Sequence, residues 1–304
     1  MRNADIRDAF FDELYELAKN DKGILLITDD MDAFGIRRFR KDFPKQFINI
    51  GVSEQNLMDT AAGLATIGKK VYVVGICAYV TARCFEQIRF SICSMNLPVT
   101  IIGIGTGFSF SFDGPTHHGT SDIAIMRTLS EITIYNPCDM LSAIYSARFS
   151  FRDKGPSYVR LDKGIYTHLY KLTDDFSKGF KIIKKIKDTN IVSTGFMTHR
   201  AMAIIKKIPA FGLVDLFRVK PLNKNFYKEV ILNSRNLISL EENNLTGGIG
   251  SALSEMITDS DASVKLKRIA VDDKQFHKFG SRDYLLSLSD LDIESILKRI
   301  TWQR

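Results

Sequence analysis

The side chains best suited to moving protons in this 304-residue sequence are one glutamate and a pair of histidines. Glu54 stands in NIGVSEQNLMD, where an apolar run ends at Gly51 and a helical pattern begins near Ser53. A carboxylate at such a strand-to-helix junction lies where open α/β sheets bind ligands. Helix starting explains the same acid equally well, with Ser53 as N-cap and Glu54 as a first-turn acid favoured by the helix dipole. His117 and His118 follow Asp113 in GFSFSFDGPTHHGTSD, a Gly- and Pro-containing loop beyond another apolar run. A neutral imidazole exchanges protons with hydroxyls near neutral pH. Arg7 in IRDAF and Arg160 in YVRLDKG carry the guanidinium fork that binds phosphate bidentately, although surface ion pairs use arginine too. Tyr79, Ala82 and Phe85 in CAYVTARCFEQIR are spaced three apart, so a helix would set them on one face, either packed in the core or offered to a flat ring.

These groups need a scaffold, and the apolar runs supply one. Runs at 24–28, 47–51, 71–75, 99–103, 132–135 and 157–161 alternate with amphipathic helical stretches, the signature of a parallel α/β sheet. Periodicity breaks over 162–188 and resumes with runs at 191–193, 212–216, 237–240 and 267–271. The expected fold class is α/β, with two three-layer domains each built on a parallel sheet. The first spans 1–165 and the second 189–304, joined by a linker at 166–188. Within that linker, KIIKKIK (181–187) reads as a strand with a solvated face. Thr198 is placed to cap a helix running to Lys207, beside a structural His199. Gly247, Gly248 and Gly250 mark a strand-to-helix transition whose amides could receive an anion, but without a GxGxxG after the first strand close packing explains them better.

Composition excludes several classes. With 45% hydrophobic and 25% charged residues, the chain is an ordinary globular protein with enough length for two cores. Its net charge of +7 is scattered rather than gathered, which argues against a nucleic-acid interface. No apolar run approaches the ~20 residues that cross a bilayer, and no signal peptide precedes the first helix, so no membrane role and a cytoplasmic location are expected. Cys77, Cys84, Cys93 and Cys138 form no CxxC pair and read as reduced core thiols.

Ordered blocks along most of the chain, IGVSEQN, YVTARCFEQIR, GFSFSFDGPTHHG, GPSYVRLDKG, LEENNLTGGIGSA and FGSRDYLL, resemble the transketolase superfamily. The RCFEQIR block is similar to that of transketolases divided between two chains. The resemblance implies a pyrimidine-binding fold followed by a transketolase C-terminal domain, with thiamine diphosphate as cofactor. Glu54 then matches the glutamate that hydrogen-bonds the aminopyrimidine and favours its imino tautomer, the base for the cofactor's own C2 proton. Tyr79 and Phe85 match the residues that hold the pyrimidine ring, with Ala82 replacing a further aromatic. Asp113 and His117 match contacts to substrate hydroxyls, with His118 where glutamine is usual, and Arg160 and Arg7 match arginines that grip a substrate phosphate. Phe34 and Gly105 fall where most transketolases carry a phosphate-binding serine and histidine, which leaves open a modified or unphosphorylated sugar.

One family element is missing. The GDG motif with an asparagine about thirty residues later, which in this superfamily holds Mg²⁺ and the diphosphate, occurs nowhere. The resemblance therefore implies an N-terminal transketolase subunit as partner, supplying the diphosphate-binding domain and the Mg²⁺ ligands in an α2β2 heterotetramer. The expected activity is transfer of a two-carbon ketol unit from a ketose donor to an aldose acceptor, with sugar or sugar-phosphate substrates. A 1-deoxyxylulose-5-phosphate-synthase-like subunit, a 2-oxo acid dehydrogenase β subunit and a non-catalytic assembly subunit are the alternatives.

Overall fold

The computed structural model describes residues 4–300. Six strands, β1 (Ile24–Thr28), β2 (Phe47–Asn49), β3 (Lys70–Ile76), β4 (Val99–Ile104), β5 (Thr133–Tyr135) and β6 (Ser157–Leu161), run parallel in the order β5-β6-β4-β3-β1-β2. A second sheet contains β7 (Phe180–Lys184), β8 (Thr189–Ser193), β9 (Gly212–Leu216), β11 (Asn236–Asn244) and β12 (Lys265–Val271), in the order β12-β11-β8-β9-β7. Only β7 is antiparallel there. The intervening β10 (Arg218–Lys220) leaves the second sheet and pairs antiparallel with β5, completing a seven-stranded first sheet.

Both faces of the first sheet are covered, which is why β1, β4 and β6 are buried at every position and read as continuous apolar runs. Helices α1 (Ile6–Asn20) and α2 (Phe34–Asp42), together with 140–152, pack Phe10, Phe11, Leu14, Ile36, Phe39 and Ala147 against one face. Helix α3 (Glu54–Thr66) and the helical stretch 79–93 pack Leu57, Met58, Ile88 and Ile92 on the other. This second core continues without a break into Val192, Val214, Val230 and Leu253 of the C-terminal sheet and its helices. Strand order reverses between β1 and β3, because β2 lies on the far side of β1, and that reversal opens a crevice at the carboxyl ends of the strands.

One expectation is corrected, the capping role of Thr198, and others are filled in. Phe180–Lys184 forms edge strand β7, the strand read from KIIKKIK, its isoleucines half-buried between lysines. Gly195 rather than Thr198 caps the helix Phe196–Lys207, because the Thr198 hydroxyl is committed to the buried carboxylate of Asp215 at 2.5 Å. The anion at the glycine-rich turn is the chain's own Glu241, which accepts from the Ile249 and Gly250 amides at 2.8 and 2.9 Å. A Cβ on Gly248 would stand 2.1 Å from that carboxylate, so the glycine serves close packing. His199 is structural as expected, its Nε2 lying 2.7 Å from the Cys138 carbonyl.

Burial pushes Asp215 up to about 7, against the opposing hydrogen bonds from Thr198 and Tyr170. A carboxyl whose folded pKa exceeds its unfolded value binds more protons when folded, so its contribution falls as pH rises between about 4 and about 7. Asp215→Asn, which mimics the protonated acid, removes this component. Measured by urea denaturation, wild type is expected to lose about 1–3 kcal/mol of stability relative to the variant as pH rises across that range. A pH-independent difference would contradict the assignment.

Candidate active site

Glu54 opens α3 directly after the turn that follows β2 and is only 3% exposed. Ser53 occupies the cap position but makes no side-chain cap bond; its hydroxyl faces the Gly51 carbonyl. The Glu54 carboxylate instead accepts a hydrogen bond from Arg83 Nη1 at 2.7 Å. Arg83 comes from a π-helical turn, Tyr79–Arg83, that interrupts the regular helix expected here, and its guanidinium carbon lies 4.1 Å from the centroid of the Tyr79 ring. Such turns widen the local spacing and recur at functional sites. Tyr79 is half-buried, Ala82 exposed, and Phe85 half-buried against the core, so the three do not form one continuous stripe.

A second carboxyl lies beside Glu54. Asp29 follows β1, is 7% exposed, and is pushed up to about 6 by burial and then by the Glu54 charge. Its Oδ1 is buried without a hydrogen-bond partner. Close approach here requires Gly75, because a Cβ at that position would stand 2.4 Å from Asp29 Oδ2.

The two histidines diverge. His117 faces Tyr79, with ring centroids 5.2 Å apart and the Tyr79 hydroxyl 3.4 Å from Nδ1. His118 turns the other way, edge-on to Phe108 at 5.0 Å, with Nε2 buried and unpartnered. Burial, and then the neighbouring His117, lower its pKa, which keeps the ring neutral near pH 7. Asp113 is exposed at the tip of the loop. Gly114 has φ of 82°, and a Cβ there would stand 2.5 Å from Phe279 of the C-terminal segment.

Arg160 is not presented to the crevice. Its guanidinium is 4% exposed and donates to Asp122 from Nε at 2.5 Å and from Nη2 at 3.0 Å, and Nη2 also reaches the Gly119 carbonyl. A fork already committed to a carboxylate cannot serve as the expected phosphate grip without breaking that pair. Arg7 begins α1 beside the loop after β6, where Ile6 N donates to the Gly164 carbonyl, and its Nε has no hydrogen-bond partner, Asp8 being 3.6 Å away. Gly105, φ 89°, is dictated by Phe110, whose ring would lie 2.3 Å from a Cβ. A histidine has no room there. Phe34 stands 73% exposed at the first residue of α2.

Arg83, Asp29 and Asp122 are the site residues that the sequence reading did not single out. Asp29 carries a usable signal, since it ends a buried apolar run, the positional rule that located Glu54. Asp122 and Arg83 have no such mark, because their roles come from partners distant in sequence.

Two α/β units of mostly parallel strands, with Glu54, Asp29 and His117 grouped at the carboxyl ends of the first sheet, place these side chains where open α/β sheets bind ligands. Residues 2–168 match the transketolase pyrimidine-binding domain and residues 179–296 the transketolase C-terminal domain, so the chain belongs to the transketolase family. It is 32% identical over 97% of its length to a transketolase C-terminal section from Methanocaldococcus jannaschii, spanning 95% of that protein. It is 29% identical to the 6-deoxy-6-sulfo-D-fructose transketolase subunit SqwH of Clostridium sp., over 96% of the chain and 92% of that subunit. The 1-deoxy-D-xylulose-5-phosphate synthase of Clostridium acetobutylicum is 31% identical, but the chain spans 48% of it. Among solved structures, a split-gene transketolase in the form of an inactive β4 tetramer superposes with a TM-score of 0.86 and 28% identity, over the full length of both chains.

If Arg160 acts as the partner of Asp122, then Arg160→Leu strands a buried carboxylate and is expected to cost about 3–5 kcal/mol of stability in denaturant titration. Loss of substrate affinity with unchanged stability would restore the phosphate-binding role.

Proposed function

We propose that this chain is the C-terminal subunit of a two-chain, thiamine-diphosphate-dependent transketolase that moves a two-carbon ketol unit from a ketose to an aldose. The observation that carries this reading is the Arg83 guanidinium, a flat nitrogen cation that lies over Tyr79 while donating to Glu54. A planar aminopyrimidine needs the same two contacts, a ring face and a buried carboxylate, so the residues present fit the cofactor. Thiamine diphosphate, when bound, supplies the nucleophilic carbon and the electron sink that ketose cleavage requires.

The chain's own residues would bind, orient and handle protons around it. Arg83, half-exposed, would have to move clear of Tyr79 for a bound ring, and Glu54 would then hold the ring nitrogen and share its proton. Tyr79 and Phe85 wall the ring. His117, within reach of the Tyr79 hydroxyl, exchanges a proton with a substrate hydroxyl, and Asp113 at the loop tip accepts from another. Arg7 is the remaining candidate for an anionic substrate group.

A partner subunit is part of the reading. Phe34, Val52 and Phe112 are 72–75% exposed and follow β1, β2 and β4, whose carboxyl ends border the crevice, an apolar rim suited to burial by another chain. Among the described residues no cluster of three or more His, Cys, Asp or Glu could hold a metal ion. Because the GDG motif with its downstream asparagine does not occur in the sequence, we assign the Mg²⁺ and diphosphate ligands to the N-terminal subunit, in an α2β2 assembly. No described helix is long and apolar enough to cross a membrane, and the four cysteines are free and buried, which fits a reducing cytoplasm. Similarity to 1-deoxy-D-xylulose-5-phosphate synthase supports a second reading in which pyruvate is the donor.

Reconstitution with a GDG-containing partner tests these readings together. The pair is expected to transfer a ketol unit from a ketose donor rather than decarboxylate pyruvate, and Glu54→Ala to lower the rate by at least about a hundredfold. Transfer by the isolated chain with cofactor and Mg²⁺ would refute the two-chain assignment.

A further inference from the structure

One buried carboxyl at the crevice has no part in the chemistry above. Asp29 leaves the end of β1 almost fully buried, and its Oδ1 has no hydrogen-bond partner. Its Oδ2 lies against Gly75, where an added Cβ would stand 2.4 Å from it and 2.5 Å from Val80 Cγ1, so backbone and an apolar side chain close that side. Buried carboxylate oxygens are nearly always paired, and an unpaired one favours the protonated acid.

The charges around Asp29 lean the same way. Asp30 stands on the same turn, Glu54 and Asp59 on α3, and Arg83 and the Cys84 thiol on the stretch 79–93. Asp30 and Asp59 are exposed and bonded to Asn49 and Ser91, and burial, then Glu54, push the thiol up to about 12, which leaves it uncharged. The buried charges are therefore Asp29, Glu54 and the one cation, Arg83. That cation donates to Glu54 at 2.7 Å, and among the described residues no cation pairs with Asp29. Burial first and the Glu54 charge second hold Asp29 at about 6, against the backbone amides of Asp29 and Met31.

An uncharged aromatic ring that took the two contacts of Arg83, the Tyr79 face and the Glu54 carboxylate, would remove the positive charge and leave two carboxyls. Neighbouring carboxyls in one buried site do not both ionise readily. We propose that Asp29 is a positioning residue for the cofactor site: it takes up a proton from water when an uncharged ring displaces the Arg83 guanidinium, so that the pair keeps a single negative charge, on Glu54, against the ring nitrogen. The identity of the ring rests on the thiamine diphosphate reading, whereas the coupling of Asp29 to Glu54 and Arg83 belongs to the chain alone.

Carboxyl ¹³C NMR on the full chain, labelled at aspartate, reads that coupling without cofactor or partner, with Asp29→Asn identifying the resonance. Asp29 is expected to titrate at about 6 in wild type, at least about one pH unit lower in Glu54→Gln and at least about one pH unit higher in Arg83→Gln. Arg83 is half-exposed, so its variant carries the test if a change at either buried carboxyl prevents folding. In the reconstituted pair, calorimetry of thiamine diphosphate binding at neutral pH, in buffers of different ionisation enthalpy, counts the protons. Wild type is expected to take up about half a proton or more beyond Asp29→Asn. An Asp29 titration that neither Glu54→Gln nor Arg83→Gln moves, or equal proton uptake with and without the Asp29 carboxyl, overturns the proposal. A reconstituted pair that binds no thiamine diphosphate while the Asp29 titration moves as expected supports the coupling and counts against the thiamine diphosphate reading instead.

Discussion

Everything near the crevice hangs on one buried carboxylate. Asp122 accepts five hydrogen bonds, from Cys77, Tyr158, both Arg160 nitrogens and Asn243. Burial alone would raise its pKa, but Arg160 holds it below the usual carboxylate range. An ion pair taken out of water stabilises a fold only when its remaining lone pairs and protons are satisfied, and this one is nearly saturated. Its members come from the end of β3, the helix Asp122–Arg127, β6 and β11, so a single node ties three strands of two sheets together. Through the Gly119 carbonyl, Arg160 also anchors the loop that carries His117 and His118.

With that node fixed, the functional groups divide by direction. Glu54, Arg83, Tyr79 and His117 converge on the crevice, while His118 points back toward the C-terminal unit. Arg83 lies over Tyr79 and pairs with Glu54, which neutralises a carboxylate that would otherwise be buried as an unpaired charge. In the proposed reading the same two contacts are the ones a cofactor ring would take.

Much of this was legible in the sequence, for a physical reason. Strands buried on both faces produce unbroken apolar runs, so β1, β4 and β6 and the position of Glu54 at a strand end could be read directly. What escaped depends on partners remote in sequence. Arg160 lies in a motif typical of phosphate binding, and only the fold brings Asp122 within 2.5 Å of it. Strand β10 carries too few residues to announce itself and reaches the first sheet from 218–220 by geometry alone. The glycines at 247–250 read as close packing, and the fold bears that out while seating the chain's own Glu241 carboxylate on their amides. At Gly105, which the resemblance sets against a family histidine, Phe110 fills the space a side chain would need, a constraint invisible without packing.

The central claim is that Glu54 activates a cofactor held largely by another chain. Deuterium exchange at C2 of thiamine diphosphate, followed by NMR in the reconstituted complex, reads that activation without any sugar. The account predicts exchange in the wild-type pair at least about a hundredfold faster than with Glu54→Gln. Equal exchange rates in the two complexes would contradict it.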